Sequence, residues 1–179
     1  MCSNTKKKIA ATLRQLMSKR SFDRITVKAL MDTTGMQRQS FYYHFQDTRQ
    51  VLMWICREEL FSPLLQSQLA LPEWLVYAME LLDRDRPFFR RVLAAVQTDF
   101  VQELSEQSTT PRVAGLLYGT SQLQDLSGKQ RFVVQIVTNA LVDHLLRFTQ
   151  SHFPLDAADA QQKLQYLLAE LKSGCGHSE

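Results

Sequence analysis

The sequence is poor in residues that break helices and in residues that cross-link chains. Its 179 residues include only 6 glycines and 5 prolines, so an architecture rich in β-turns is not expected. The three cysteines are dispersed without a C-x-x-C pair, which argues against a disulfide framework and favours a reducing compartment. Cys175 and His177 offer too few ligands for a zinc site, and we expect no metal and no cofactor.

Signals for membranes, export and catalysis are also missing. No run of about 18 uncharged apolar residues is present, so we expect no membrane span. The lysine-rich N-terminus lacks the apolar segment of a signal peptide, and a cytoplasmic location is expected. Dinucleotide-binding, phosphate-loop, zinc-protease and nucleophile-elbow motifs are absent, and the four histidines do not cluster with carboxylates or cysteines. We therefore expect no enzyme activity.

The composition that remains favours an α-helical protein with a basic N-terminal part. Apolar residues make up 45% of the chain, which is enough to bury a core at this length without covalent staples. Residues 1–60 contain 11 lysines and arginines against 5 acidic residues, a balance of +6, whereas the remainder carries −3. This asymmetry indicates that the N-terminal part meets a polyanion, and a solvated basic face without a partner is the alternative.

A short helix followed by a tight turn is predicted near residue 30. Apolar side chains recur with helical spacing from Val27 to Thr34. Thr26 precedes them as an N-cap, and Gly35 follows them, where a helix end in the left-handed conformation favours glycine. The turn at Gly35 would lead directly into a second helix.

The second helix is predicted over residues 37–45. At 100° per residue Phe41 and Phe45 fall together and would point inward. Hydrogen-bonding groups occupy nearly all of the opposite face and both flanks, namely Gln39, Ser40, Tyr42, Tyr43 and His44. A helix with this division suits a DNA major groove, so residues 26–45 are interpreted as a helix-turn-helix.

The run SFYYHF, residues 40–45, followed closely by Asp47, is more specific than the helix-turn-helix pattern alone. With it, the sequence resembles the tetracycline-repressor (TetR) family of bacterial transcription regulators over roughly residues 6–60, and more weakly over residues 132–171. Two residues depart from the family pattern. Thr34 stands where the family usually has alanine, and Thr48 stands where it usually has a lysine that approaches the DNA backbone.

Taken with the helical patterns, the resemblance implies an all-α protein with an N-terminal three-helix unit and a C-terminal helical domain. The expected DNA-binding domain is 1–62, with the helix-turn-helix at 26–45 and a connector helix at 47–62. An effector-binding and dimerisation domain would occupy 63–172, and a flexible tail 173–179. The expected function is a homodimeric DNA-binding regulator, by default a repressor. The alternative is an activator or adaptor of the same fold that docks a partner protein.

The expected partner of the N-terminal domain is double-stranded DNA with a palindromic operator. Phosphate contacts are expected from residues that begin the first helix, flank the second or replace the missing lysine: Thr26, Lys28, Tyr42, His44 and Arg49. Base reading falls to residues at the tip and outer face of the second helix: Gln37, Arg38, Gln39, Ser40 and Tyr43. Arg38 is the best candidate for a guanine, because its guanidinium matches O6 and N7.

The remaining expectations concern the C-terminal domain. Aromatic residues are dense in the middle of the chain, either as core or, as the resemblance implies, around a small apolar effector: Trp54, Trp74, Tyr77, Phe88 and Phe100. Two later helices, at about 128–152 and 157–172, would fold back on the same core or pair with a second copy. The residues assigned to a dimer interface are Phe132, Val133, Ile136, Val137, Leu141, Leu145, Phe148, Leu164, Leu167, Leu168 and Leu171.

Overall fold

The computed structural model describes residues 2–175, and these residues form helices joined by short loops without any strand. This confirms the expected all-α class. In chain order the α-helices are α1 Cys2–Met17, α2 Val27–Thr34, α3 Arg38–Tyr42, α4 Thr48–Cys56, α5 Ser62–Gln66, α6 Leu71–Asp83, α7 Arg86–Glu103, α8 Thr110–Tyr118, α9 Gly128–Gln150 and α10 Ala157–Cys175. Shorter turns complete the list: 3₁₀ turns at Phe22–Arg24 and Leu123–Asp125, and π-helical turns at Arg57–Phe61 and Leu104–Thr109.

The chain divides into two compact units, and each is discontinuous in sequence. The first unit comprises the residues up to Glu59 together with Asp85–Phe100. The second unit comprises Leu60–Arg84 together with the residues from Val101 on. Residues 85–100, which the sequence pattern assigned to the C-terminal domain, are therefore grouped with the N-terminal helices.

The core of the first unit is organised by α1. Ile9, Leu13 and Met17 lie four residues apart on one face and are all buried. This face packs α1 against α2 and α4, and α2 in turn packs against α3. The four-residue spacing is what one side of an α-helix requires, so the three-helix unit follows directly from the sequence pattern.

Arg14 links α1 to the beginning of α7 within this unit. One of its terminal nitrogens lies 2.5 Å from the carboxylate of Asp85, and the other pairs with Glu59. Its guanidinium carbon lies 3.9 Å from the ring centroid of Phe88. A planar guanidinium can satisfy both interactions at once, because its edges donate hydrogen bonds while its face covers an aromatic ring.

The connector helix is longer and less regular than expected. It was predicted over 47–62, with a stop or kink at Pro63. Instead α4 passes at Arg57 into a π-helical turn, and α5 follows without a break as far as Gln66. Pro63 is tolerated because it lies in the first turn of α5, where its missing N–H is not needed.

The second unit is built around α6, which packs against α9 and α10. Trp74 of α6 is fully buried, and its indole N–H donates to the carbonyl oxygen of Leu64 at 3.2 Å. Arg112 of α8 donates to the carbonyls of Leu64 and Ser67 at 2.9 and 3.0 Å, and its guanidinium lies 5.0 Å from the Trp74 ring. Burial lowers the pKa of Arg112. This arginine satisfies carbonyl oxygens that the end of α5 leaves without helical partners.

The long helix α9 starts with a reciprocal pair of hydrogen bonds. The Ser127 side chain accepts from the backbone N–H of Gln130, and the Gln130 side chain accepts from the backbone N–H of Ser127. This capping box satisfies two of the donors that a helix start exposes. At the start of α10 the Asp156 carboxylate accepts from the N–H of Asp159 at 3.0 Å. Both helix starts lie where the sequence predicted them.

The assignment of the dimer interface needs correction, because much of the apolar band on α9 and α10 belongs to the core of the protomer. The buried members are Val137, Leu141, Leu145, Leu164 and Leu168. They are covered because α9 and α10 pack on α6 and α8. Val133, Phe148 and Leu171 are half-buried. Phe132, Ile136 and Leu167 are 67%, 52% and 45% exposed, and these remain available to a second copy.

Part of the segment expected as a flexible tail, 173–179, is helical. Helix α10 continues to Cys175, so residues 173–175 are helical. Residues 176–179, including His177, lie outside the described part of the chain.

Candidate nucleic-acid interface

Helix α2 has the ends that the sequence predicted. The Thr26 hydroxyl accepts from the N–H of Ala29 at 3.1 Å, and Gly35 has φ 68°, in the left-handed region. Thr34 is buried, and its hydroxyl donates to the carbonyl of Met31 and accepts from the N–H of Met36 at 3.3 Å. The departure from alanine at Thr34 thus gives the turn a side-chain hydrogen bond that fixes the chain between α2 and α3.

Helix α3 is shorter than the range of 37–45 predicted for it. Regular α-helix covers Arg38–Tyr42, and the last turn continues through hydrogen bonds from His44 and Phe45 to the Phe41 carbonyl, both at 2.9 Å. Phe41 and Phe45 are 0% and 5% exposed, with ring centroids 5.9 Å apart. The prediction that both rings point inward is confirmed. Aromatic packing therefore fixes which face of α3 remains outside.

The outer face of α3 carries polar groups with no internal role. Arg38, Gln39 and Tyr43 are exposed, and Tyr43 is 77% exposed. Among the described residues, the side chains of Arg38 and Gln39 have no hydrogen bond or ion pair. Gln37 precedes the helix in extended conformation, and its exposed side chain makes no capping bond. A face of unused donors and acceptors can pair with base edges without breaking internal contacts.

The other residues predicted to contact phosphate lie at the start of α2 and at the end of α3. Lys28 is exposed at the second position of α2. Thr26 uses only the acceptor side of its hydroxyl in the cap, so its O–H proton remains to donate. Tyr42 is 59% exposed, and His44 is half-buried with its ring 4.9 Å from that of Tyr43. Ser40 is half-buried beside them.

Arg49 is arranged differently from the other proposed phosphate ligands. Its Nε lies 2.5 Å from a carboxylate oxygen of Asp99 on α7. The hydrogen bond to Asp99 raises the pKa of the Arg49 guanidinium, and the same bond lowers the pKa of the Asp99 carboxyl. The sequence offered Arg49 as a substitute for the lysine missing at Thr48, but the structure engages its guanidinium internally. Sequence reasoning missed Asp99, which lies 50 residues away.

The residues assigned to an effector site are distributed over both units. Trp54, Phe88 and Phe100 belong to the first unit, whereas Trp74 and Tyr77 belong to the second. Phe88, Phe100 and Trp74 are no more than 2% exposed, and Trp54 and Tyr77 are half-buried. Phe88 covers Arg14 and Trp74 covers Arg112, so both rings have packing roles. An effector among these residues stays a prediction.

Sequence reasoning also missed a groove in the second unit. A cavity of about 560 Å³ opens between α9, α10 and the loop that joins them, with Met79 of α6 at its base. Its walls are apolar at Leu141, Phe148 and Leu164, with His144 also on the lining. Across residues 2–175 no group of three or more His, Cys, Asp or Glu side chains is placed to hold a metal ion. Over the same range, no helix has both the length and the apolarity needed to cross a membrane.

Comparisons with known proteins agree with this geometry. Residues 9–53, which include α2 and α3, match the family described as "Bacterial regulatory proteins, tetR family". Over 91 residues the chain is 29% identical to the HTH-type dhaKLM operon transcriptional activator DhaS of Lactococcus lactis subsp. lactis (strain IL1403). That alignment covers 49% of this chain and 48% of the relative, so the chain spans about half the length of this curated protein.

A solved structure shows the same fold. The dihydroxyacetone kinase operon activator DhaS superposes with a TM-score of 0.60, over 94% of this chain and 96% of that chain, at 20% sequence identity. At this identity the likeness concerns the fold alone. The family match covers the segment in which Phe41 and Phe45 are buried and the polar face of α3 is exposed. Residues 9–53 therefore form a domain that matches the tetR family of bacterial regulatory proteins.

Proposed function

We propose that this protein is a homodimeric, cytoplasmic DNA-binding regulator of transcription, with α3 of each copy in a major groove of a palindromic operator. The observation that carries the proposal is the division of α3 into two faces. Phe41 and Phe45 anchor it in the core, while Arg38, Gln39 and Tyr43 point outward. A basic balance of +6 over residues 1–60 supplies the attraction to phosphate that such a helix needs.

Within the interface, base reading and phosphate contact fall to different residues. Residues at the tip and outer face of α3 would read bases, namely Gln37, Arg38, Gln39, Ser40 and Tyr43. Residues around it would hold phosphates, namely Thr26, Lys28, Tyr42 and His44. Phosphate contacts fix the register of the protein on DNA, whereas contacts with base edges distinguish sequences. Arg38 is proposed to read a guanine through a bidentate hydrogen bond.

The proposed dimer uses the outward side of α9 and α10. Phe132 and Ile136 lie one turn apart on α9 and are more than half exposed, and on α10 Tyr166 and Leu167 are 70% and 45% exposed. Apolar groups of this size in water favour a covering partner, and an isologous pairing covers both copies with the same patch. Two recognition helices related by a two-fold axis would then reach half-sites about 34 Å apart.

The direction of regulation and the effector belong to the same proposal. Repression is the default, because a bound dimer excludes polymerase without further contacts. Activation is the second candidate, and the relative named as an operon activator favours it. A small apolar molecule or a partner protein bound by the second unit would change the affinity for DNA only under one condition. It must bind the conformation that binds DNA and the conformation that does not with different affinities.

Selection of binding sites from random DNA tests the proposal. A palindromic consensus from the wild-type protein, altered at one position per half-site by Arg38→Ala, is the expected result. Recovery of no consensus would contradict sequence reading. A gel-shift experiment with bulk DNA at low salt separates a further alternative, an adaptor of this fold that has lost DNA binding, because such a protein would not shift DNA at all.

A further inference from the structure

An internal ion pair joins two distant parts of the first unit. Arg49 is the second residue of α4, and Asp99 lies near the end of α7. Their side chains meet with Nε and Oδ2 2.5 Å apart, and they are 49% and 40% exposed. Asp99 is presented by an irregular part of α7, because Val96, one turn earlier, leaves helical geometry with φ −141° and ψ 34°. The helix kinks just before the residue that reaches Arg49.

Arg49 lies close to the proposed DNA surface. Only five residues, 43–47, separate α3 from α4, and a stretch of that length spans at most about 17 Å. The start of α4 is also the positive end of a helix, where phosphate oxygens are favoured. A free arginine at this place would be expected to strengthen binding to any DNA sequence.

We propose that Asp99 lowers the affinity of the first unit for DNA by holding Arg49 in an internal ion pair. While this pair persists, Arg49 adds nothing to the attraction between the protein and DNA phosphates. The inference rests on the proposed DNA-binding function and adds a regulated residue to it. Asp99 acts through Arg49 and touches no base or phosphate in this scheme. It is therefore a positioning residue whose removal increases binding.

Charge balance explains why the pair matters even if DNA displaces it. When a free arginine meets a phosphate, counterions of the DNA are released into solution. When Arg49 leaves Asp99 for a phosphate, the carboxylate is left behind and gathers a cation in turn. In the wild-type protein the net release of counterions by Arg49 is therefore close to zero. When residue 99 carries no charge, Arg49 releases counterions as a free arginine does.

The route of regulation follows from the path of α7. This helix runs from Arg86 to Glu103, and the later segment of the second unit begins at Val101. Asp99 therefore lies two residues before the chain enters the second unit. A change in α7 that withdraws Asp99 would release Arg49 and increase affinity for DNA without altering the residues that read sequence.

The test compares Asp99→Asn with three other variants in full-length protein. Asp23→Asn is the matched control, since Asp23 is exposed in the same unit and no side-chain bond of it is found in the described residues. Arg49→Ala and the double variant Arg49→Ala/Asp99→Asn complete a cycle. Two readouts are used: affinity for duplex DNA as a function of salt, and the salt concentration that elutes the protein from heparin. Far-ultraviolet circular dichroism checks folding, and Asp99→Ser replaces Asp99→Asn should the latter not fold.

We expect Asp99→Asn to bind DNA up to about fivefold more tightly per protomer, the largest factor that an exposed pair usually contributes. The salt dependence should steepen by about 0.9 for each protomer bound. Both gains should vanish in the double variant, and Arg49→Ala alone should bind no more tightly than wild type, because it leaves the Asp99 carboxylate unpaired. Weaker binding by Asp99→Asn, a gain equal to that of Asp23→Asn, or a gain that persists without Arg49 would each overturn the inference. Should the wild-type protein bind no DNA, the proposed function fails, and the heparin comparison still decides whether Asp99 masks Arg49.

Discussion

Substitutions on opposite sides of α9 are expected to separate folding from dimerisation. Leu145 is 1% exposed, whereas Ile136, nine residues earlier, is 52% exposed. Leu145→Ala should destabilise the protein by about 2–5 kcal/mol, because a buried leucine loses its contacts and leaves a cavity. Ile136→Arg should change the free energy of unfolding of the protomer by no more than about 0.5 kcal/mol, the usual range at an exposed site.

The same Ile136→Arg change should abolish the dimer. A two-fold interface would contain the new guanidinium twice, and an unpaired buried charge costs roughly 3–5 kcal/mol. Two such charges would oppose the roughly 8 kcal/mol that a micromolar dimer represents, and would raise its dissociation constant by about four to seven orders of magnitude.

Sedimentation velocity at micromolar concentration, with urea unfolding on the same samples, measures both effects. The expected result is a folded monomer for Ile136→Arg, and a destabilised protein of unchanged association for Leu145→Ala. Gln135→Arg, at an exposed neighbouring position, controls for charge alone. A folded dimer of Ile136→Arg, or a wild-type monomer, would refute the proposed interface. A Leu145→Ala protein as stable as the wild type would contradict the placement of Leu145 in the core.

Four further predictions concern the first unit. Arg38→Ala should cost about 1–3 kcal/mol of binding to the selected operator and relax preference at one position per half-site, and equal losses on all sequences in a gel shift would contradict base reading. Tyr42→Phe should weaken binding to all DNA sequences alike, because a phosphate contact positions the protein without reading bases. Lys28→Ala should lower the dependence of log affinity on log salt concentration by about 0.9 per half-site. An unchanged salt dependence would show that Lys28 does not contact phosphate. Gly35→Ala should destabilise the protein by about 1–2 kcal/mol in urea unfolding, because φ is 68° at Gly35. The cause is backbone conformation and not a clash, since an added Cβ would meet no neighbouring atom within 4 Å. Gly35→Asn should cost less, and a Gly35→Ala protein of unchanged stability would show that the turn adjusts.

Capped helix ends were the most predictable features of this fold, because their chemistry lies within a few residues. Thr26 and Gly35 bound α2, Asp47 caps α4 through the N–H of Gln50, and Ser127 caps α9. Thr26, Asp47 and Ser127 each accept from an N–H three residues away, and Gly35 acts through its own left-handed conformation. The spacing of Phe41 and Phe45 likewise fixed the inner face of α3 without reference to the rest of the chain.

Features that depend on distant residues could not be predicted in the same way. Arg49 and Asp99 are 50 residues apart, and Arg112 reaches carbonyl oxygens 48 and 45 residues away. Periodicity shows that a helix face is apolar, but it does not say which surface covers it. For this reason the pattern left two alternatives for the band on α9 and α10, the same core or a second copy, and its residues were assigned to a dimer interface although α6 and α8 cover Leu145 and its buried neighbours.

The separation of roles within α3 has a consequence for how its specificity is set. Stability of the helix-turn-helix comes from buried groups, such as Phe41, Phe45 and the hydroxyl of Thr34. Arg38 and Gln39 carry the outward polar face and pair with nothing in the described chain. Because the free energy of folding does not depend on these outer side chains, they can be exchanged without unfolding the domain. Operator sequence should therefore follow the outer residues of α3, while the buried aromatic pair and the turn at Gly35 keep the helix in place.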